Sequence, residues 1–300
     1  MKRQCLEVRA EEWTQRAGQL AARRPLQVLA HLAAAWNVPV YLVGGTVREL
    51  LLGRDIHDLD LAAARQTLEL AQELAAALGG TYVLLSAADR SARVVWGSEE
   101  VDLTEFRGPT LEEDLRRRDF TVNALAISLT DLYRPGPIQI IDPWGGLADL
   151  AASRLQVLQP ENFQEDPLRL LRAFRFAATH GFSLTPELEA AIRTYGPLIQ
   201  EVAGERIRQE LFRLLAVSQA LPILLAMERL GFLFHLFPEL ADLQGVAQNG
   251  YHHLDVWQHS LLTVQFLEEI LAEPRRYFQA CAEFLAAYGA QPGKPVLLKL

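Results

Sequence analysis

The chain has 300 residues, half of them hydrophobic, and a net charge of −8. That length supports more than one hydrophobic core, so two or more domains are expected, and the acidic balance excludes a uniformly basic nucleic-acid binder that relies on broad phosphate neutralisation. Cys5 and Cys281 are the only cysteines, which excludes a disulfide framework or a cysteine metal cluster.

In chain order, residues 1–10 carry charges and no apolar core of the secretory type, so a cytoplasmic protein is expected. Short β-type runs follow, with strands predicted over 40–43, 59–61, 82–85, 93–96, 101–104 and 138–141, and a helix over 64–78. After Asp142-Pro143-Trp144-Gly145-Gly146 the pattern changes. Apolar residues recur at three and four residue spacing through 168–178, 187–192 and 207–215, which predicts an all-helical second half. The most apolar stretch, 211–237, is interrupted by Arg213, Pro222, Glu228 and Arg229, so no membrane span is expected.

Three features of the first half carry chemistry. Gly44 and Gly45 stand between a predicted strand and a predicted helix, where bare backbone amides and a helix N-terminus suit a phosphate, although a plain tight turn would also use them. Asp58 and Asp60 alternate on a short strand and leave the same face. Two adjacent acids repel unless a cation lies between them, and magnesium prefers such oxygen ligands; a solvated edge strand is the plainer alternative. Asp102, in the run Val101-Asp102-Leu103-Thr104, offers a third ligand for two-metal phosphoryl transfer if its strand lies beside that of Asp58.

Arginine supplies nearly all the positive charge, since Lys2, Lys294 and Lys299 are the only lysines. Its forked guanidinium suits phosphates and base edges. Arg116, Arg117 and Arg118 precede Asp119 and Asn123, and Arg169, Arg172 and Arg175 recur every three residues on a helix predicted to begin near Pro167. Glu165 and Asp166 sit at that helix start, where simple N-capping would explain them but not the row of arginines.

Together these segments resemble the class II tRNA nucleotidyltransferase and bacterial poly(A) polymerase family. Gly44-Gly45-Thr46-Val47-Arg48 with Asp58-Leu59-Asp60 is similar to its metal-binding motif, and 117–124 to its ribose-reading motif. Residues 142–150 are similar to its hinge, Glu165-Asp166-Pro167-Leu168-Arg169 to its nucleotide-selecting motif, and Glu205-Arg206-Ile207 with Glu210 to its final helical support. Glu49 stands where the family usually has Asp, which implies a shifted contact and no lost activity, and Asp102 where many members carry Glu.

The resemblance implies an α+β head with the DNA polymerase β-like nucleotidyltransferase fold over 27–155, after an extension at 1–26. A helical neck over 156–220 and a helical body over 221–300 would follow. It also implies a reaction in which a tRNA 3′ hydroxyl attacks the α-phosphate of CTP or ATP. Mg2+ would be held by Asp58, Asp60 and Asp102, and nucleotide by Gly44, Gly45, Arg48, Arg117, Arg118, Asp119, Asn123, Asp166, Arg169, Arg172 and Arg175. Asp166 and Arg169 would act as a protein template, accepting from the exocyclic amine of C or A and donating to the adjacent ring acceptor.

The connection between the Asp102 strand and the ribose-reading motif is short and contains Pro109. It resembles that of CC-adding members, which leave the final A to a separate A-adding enzyme. A full CCA-adding enzyme and a poly(A) polymerase are the alternatives within the family, and an inactive RNA-binding or HD-type regulatory protein is the alternative outside it. Residues 250–260 are similar to the entry of an HD-type phosphohydrolase module whose later ligands do not follow, so a fragment or a vestigial module is expected there, without hydrolase activity.

Overall fold

The alternating runs of the first half pair into a seven-stranded sheet in the computed structural model, which describes residues 13, 15–248, 253–278 and 283. Its strands are β1 (Val40–Val43), β2 (Asp58–Ala63), β3 (Thr81–Ser86), β4 (Ser91–Trp96), β5 (Glu99–Glu105), β6 (Ala126–Ser128) and β7 (Ile140–Ile141). Their order is β3-β4-β5-β2-β1-β6-β7. β2 and β5 run parallel and the other neighbours antiparallel.

A parallel pair needs a crossover, which the helix Thr67–Leu78 and the β3–β4 hairpin provide. Thr67, Leu70, Ala71, Leu74 and Ala75 are its buried residues, one helical stripe on an element that packs against β4 and the helix Arg24–Ala35. This helix begins three residues later than its periodicity predicts. Ala62 and Ala63 continue β2 against β1 and β5, and Gln66 takes a left-handed backbone, φ 56°, that a helix cannot continue through.

β6 is a strand the sequence reading missed. Asn123-Ala124-Leu125-Ala126 favours helix by local propensity, but Ala126 and Ile127 are fully buried between β1 and β7, and pairing there overrides propensity.

The chain divides into two compact units, Met1–Ala152 with Gln156–Gln159, and Ser153–Leu155 with Pro160–Leu300. The described part of the second unit is helical apart from a two-residue strand pair, Arg154–Leu155 with Ser183–Leu184. Leu168–His180 packs against Gly204–Leu215 and buries Leu170, Leu171 and Phe174 completely. Among the described residues, no helix is long and apolar enough to cross a membrane.

Residues 1–10 and 250–252, with Cys5 and Cys281, lie outside the described residues. Asp255 caps the helix Val256–Ala272, accepting from the Gln258 amide at 2.7 Å and from the Gly245 amide at 3.0 Å.

Candidate active site

Alternation gives β2 and β5 two unlike faces. Leu59, Leu61, Val101 and Leu103 are at most 1% exposed, whereas Asp58 is exposed and Asp60 and Asp102 are half-buried. The parallel register sets Asp60 beside Asp102 and Asp58 beside Glu100, so the three expected acids share one patch.

The helix Gly44–Leu52 starts at the first glycine itself. The Gly45 amide donates to Asp60 Oδ2 at 3.0 Å. Gly44 has φ 59°, and a β-carbon on Gly45 would lie 2.8 Å from Asp60 Oδ2. A β-carbon on Gly44 would lie 3.0 Å from Arg118 Nη1. Both glycines therefore serve close approach, and Arg118 comes up to the same turn. Thr46 ties the turn to β2, its hydroxyl accepting from the Asp60 amide at 2.7 Å and donating to the Asp58 carbonyl at 3.3 Å.

Burial pushes the Asp60 carboxyl above its ordinary range; Arg118 opposes the shift, Asp102 adds to it, and the Gly45 amide and Arg48 oppose it. Asp58 and Asp60 are hard oxygen donors on one face, and the upward shift of Asp60 marks a charge that its surroundings undercompensate. That donor set fits a divalent cation. Among the described residues, no three His, Cys, Asp or Glu side chains converge as a ready cage. Asp102 is engaged elsewhere: Arg93 Nε and Nη2 donate to its two oxygens at 2.7 and 2.8 Å, and Arg93 Nη1 pairs with Glu100.

Arg48, Asp119 and Asn123, all expected at the nucleotide, form a buried network. Asp119 Oδ1 accepts from Asn123 Nδ2 at 2.8 Å and from the Phe120 amide at 2.9 Å, and Asn123 Oδ1 accepts from Arg48. Arg48 also donates to Glu49 Oε1 from Nε at 2.9 Å and from Nη2 at 2.6 Å. The network couples the glycine helix to the turn Thr121–Asn123. Arg117 is exposed, and Arg118 Nη2 donates to Asp114 at 3.1 Å.

Hinge residues clasp the same turn. Asp142 accepts from the amides of Gly146 and Leu147 at 2.8 and 2.9 Å, Thr121 donates to Asp149 at 2.6 Å, and any β-carbon on Gly146 would strike the Thr121 carbonyl oxygen.

In the helical unit, Leu168–His180 has no side-chain cap, so capping does not account for Asp166. Its two oxygens accept from Arg206 Nη2 at 3.1 and 3.3 Å. Arg169 is buried, with Nη1 donating to the Asn162 carbonyl at 3.2 Å. Arg172 and Arg175 lie 5.7 and 4.2 Å from the Phe176 ring centroid, and Arg175 Nε pairs with the buried Glu210.

Sequence reasoning missed Thr46 and Arg93, and missed that Arg206 meets Asp166. Strand alternation could have flagged Arg93, which shares a face with acids across a tight hairpin. Nothing in the sequence points from Arg206 back to Asp166, since that contact depends on how two helices pack.

Two family models match: the poly A polymerase head domain over residues 40–156, and the probable RNA and SrmB-binding site of polymerase A over 181–244. A CC-adding tRNA nucleotidyltransferase of Geobacter sulfurreducens is 39% identical over 68% of this chain and 46% of its own length. An A-adding tRNA nucleotidyltransferase of Deinococcus radiodurans is also 39% identical, over 77% of this chain and 51% of its own length. The chain thus spans about half the length of these curated relatives. A crystal structure of a tRNA nucleotidyltransferase complexed with a primer tRNA and an incoming ATP analog superposes with a TM-score of 0.68 at 27% identity, covering 91% of this chain and 79% of that one. The glycine turn, the acid row and the arginine-rich helix are therefore those of a member of the tRNA nucleotidyltransferase and poly(A) polymerase family, to which this chain belongs.

Proposed function

We propose that the protein transfers CMP from CTP to the 3′ end of tRNA without a nucleic-acid template, releasing pyrophosphate, and stops after two additions. The observation that carries nucleotidyl transfer is the acid row of Asp58, Asp60 and Asp102 beside the Gly44-Gly45 turn and Arg118. A head over 27–155, a neck over 156–220 and a body over 221–300 are its proposed working parts.

Asp58 and Asp60, with Asp102, would hold the divalent cation, which we take as Mg2+, and that cation supplies charge neutralisation at the phosphate and acidifies the attacking hydroxyl. The bare backbone of the glycine turn would take the triphosphate oxygens, with Arg118 beside it. Arg117 is exposed for a backbone phosphate. The buried network of Arg48, Asn123 and Asp119 holds the turn in place, so these residues act by positioning.

Base choice falls to Asp166 and Arg169. A carboxylate accepts from the exocyclic amine of C or A, and a guanidinium donates to the neighbouring acceptor; G and U present the opposite order and leave groups unpaired, at about 1–3 kcal/mol each. Arg172 and Arg175 extend the positive side of that helix.

Restriction to CC rests on the connection after β5. Thr110 caps the helix Leu111–Arg116 by accepting from the Glu113 amide at 3.3 Å, and the Arg107 amide donates to Asp114 at 3.2 Å. Few residues are left to rearrange the pocket from CTP to ATP. A CC product would then need a separate A-adding enzyme. The test is incubation of tRNA ending at the discriminator base with CTP and ATP, read on a sequencing gel. Products ending in CC support the reading. CCA products, A addition confined to tRNA already ending in CC, or long A tails would each replace it by the matching sister activity.

A further inference from the structure

Across the sheet, Asp60, Asp102 and Arg93 stand in one row. Asp60 is the register partner of Asp102 on β2, and Arg93 is its partner on β4. All three are half-buried on the same face. The guanidinium takes both Asp102 oxygens and reaches Glu100 as well. A divalent cation seeking its third carboxylate therefore meets a bidentate ion pair.

We propose that Arg93 is a positioning residue that competes with divalent cations for Asp102, so that the chain binds a cation on Asp58 and Asp60 and recruits its third carboxylate only by displacing the Arg93 fork. The proposal rests on reading Asp58 and Asp60 as the cation-holding pair. Two observations support it. The fork is bidentate, a geometry that fixes a carboxylate's direction as well as its charge. The three acids share a face, yet among the described residues they do not form a ready cage.

The experiment is Mn2+ binding to the whole chain, followed by the electron paramagnetic resonance of the free ion, in a double-mutant cycle of Arg93→Met and Asp102→Asn. Loss of a nearby positive charge alone would raise affinity equally in both backgrounds. Release of Asp102 as a ligand raises it only where Asp102 is present. We expect Arg93→Met to tighten Mn2+ binding about tenfold in the Asp102 background, and at least about fivefold less in the Asp102→Asn background. An equal gain in both backgrounds, or no gain in a folded Arg93→Met protein, overturns the proposal. If Arg93→Met loses its native circular dichroism, Arg93→Gln, which removes the charge and the fork but keeps a polar tip, is read in the same cycle. Asp58→Asn serves as the control for the underlying reading. Undiminished Mn2+ affinity in that variant would overturn the cation-pair reading, a result that no Arg93 variant produces.

Discussion

On the sheet, Asp58, Asp60 and Asp102 crowd one face, with Arg93 committed to Asp102 and Arg118 near the glycine turn. In the helical unit the balance is the reverse: Arg175 pairs with buried Glu210, Arg206 holds both oxygens of Asp166, and Arg169 donates to a backbone carbonyl. The first cluster carries surplus negative charge, which on the proposed reading a cation would balance. The second is largely paired internally, and on the same reading it would read a base by exchanging partners it already has. A carboxyl pushed up by burial thus goes with the candidate cation site, and internal pairing with the candidate selecting site.

The sharpest way to break this contrast is Asp60→Asn. The folded chain holds the Asp60 proton more tightly than an unfolded chain does, so this group's contribution to stability falls as pH rises from its ordinary value through its raised folded one. The amide variant is therefore expected to lose nucleotide transfer by at least about a thousandfold, yet to melt above wild type at pH 7 in chelator. That gap should close as pH is lowered toward the ordinary value of 3.8. Wild-type turnover, or a lower melting point at pH 7, would remove Asp60 from the ion site. Next in size, Arg175→Ala leaves the Glu210 carboxylate, whose side chain is only 9% exposed, with the longer Arg213 contact at 3.8 Å as its remaining ion pair. Urea unfolding should show a loss of about 2–4 kcal/mol, and a loss below about 0.5 kcal/mol would mean that the pair is not a structural completion. The smallest effect is expected from Arg169→Ala in a competition of CTP against UTP, where selectivity should drop about tenfold with transfer retained. Unchanged selectivity would move base reading to another residue.

Much of the sheet site was legible because strands repeat every two residues. Asp58 and Asp60 fall on one face by that rule alone, and Asp102, an acid on a strand marked by its apolar neighbours, was a third candidate only if that strand lay beside theirs. The leucines between them identified the buried face. What escaped the sequence was the business of partners. Arg93 read as one more strand residue, and its fork becomes visible only once β4 and β5 close as a hairpin. Arg48, Asn123 and Asp119 were expected at the nucleotide, whereas their hydrogen bonds run to one another, because burial obliges such groups to satisfy themselves internally. β6 escaped for a different reason: Ala126–Ser128 is a three-residue strand that follows the helix-favouring Ala124-Leu125, and the slot between β1 and β7 is what makes it a strand.

The row of Asp60, Asp102 and Arg93 also bears on how the sheet comes together. Asp102 and Arg93 are nine residues apart on one hairpin, of a kind that closes in about 1–10 μs, whereas Asp60 lies roughly forty residues upstream and reaches Asp102 only after the whole crossover has been ordered. The entropy of closing a loop grows with its length. Loop closure thus favours an order of assembly in which the third acid is covered by its own hairpin first, and the two strands with the most repulsive register in the sheet zip together with one charge already screened.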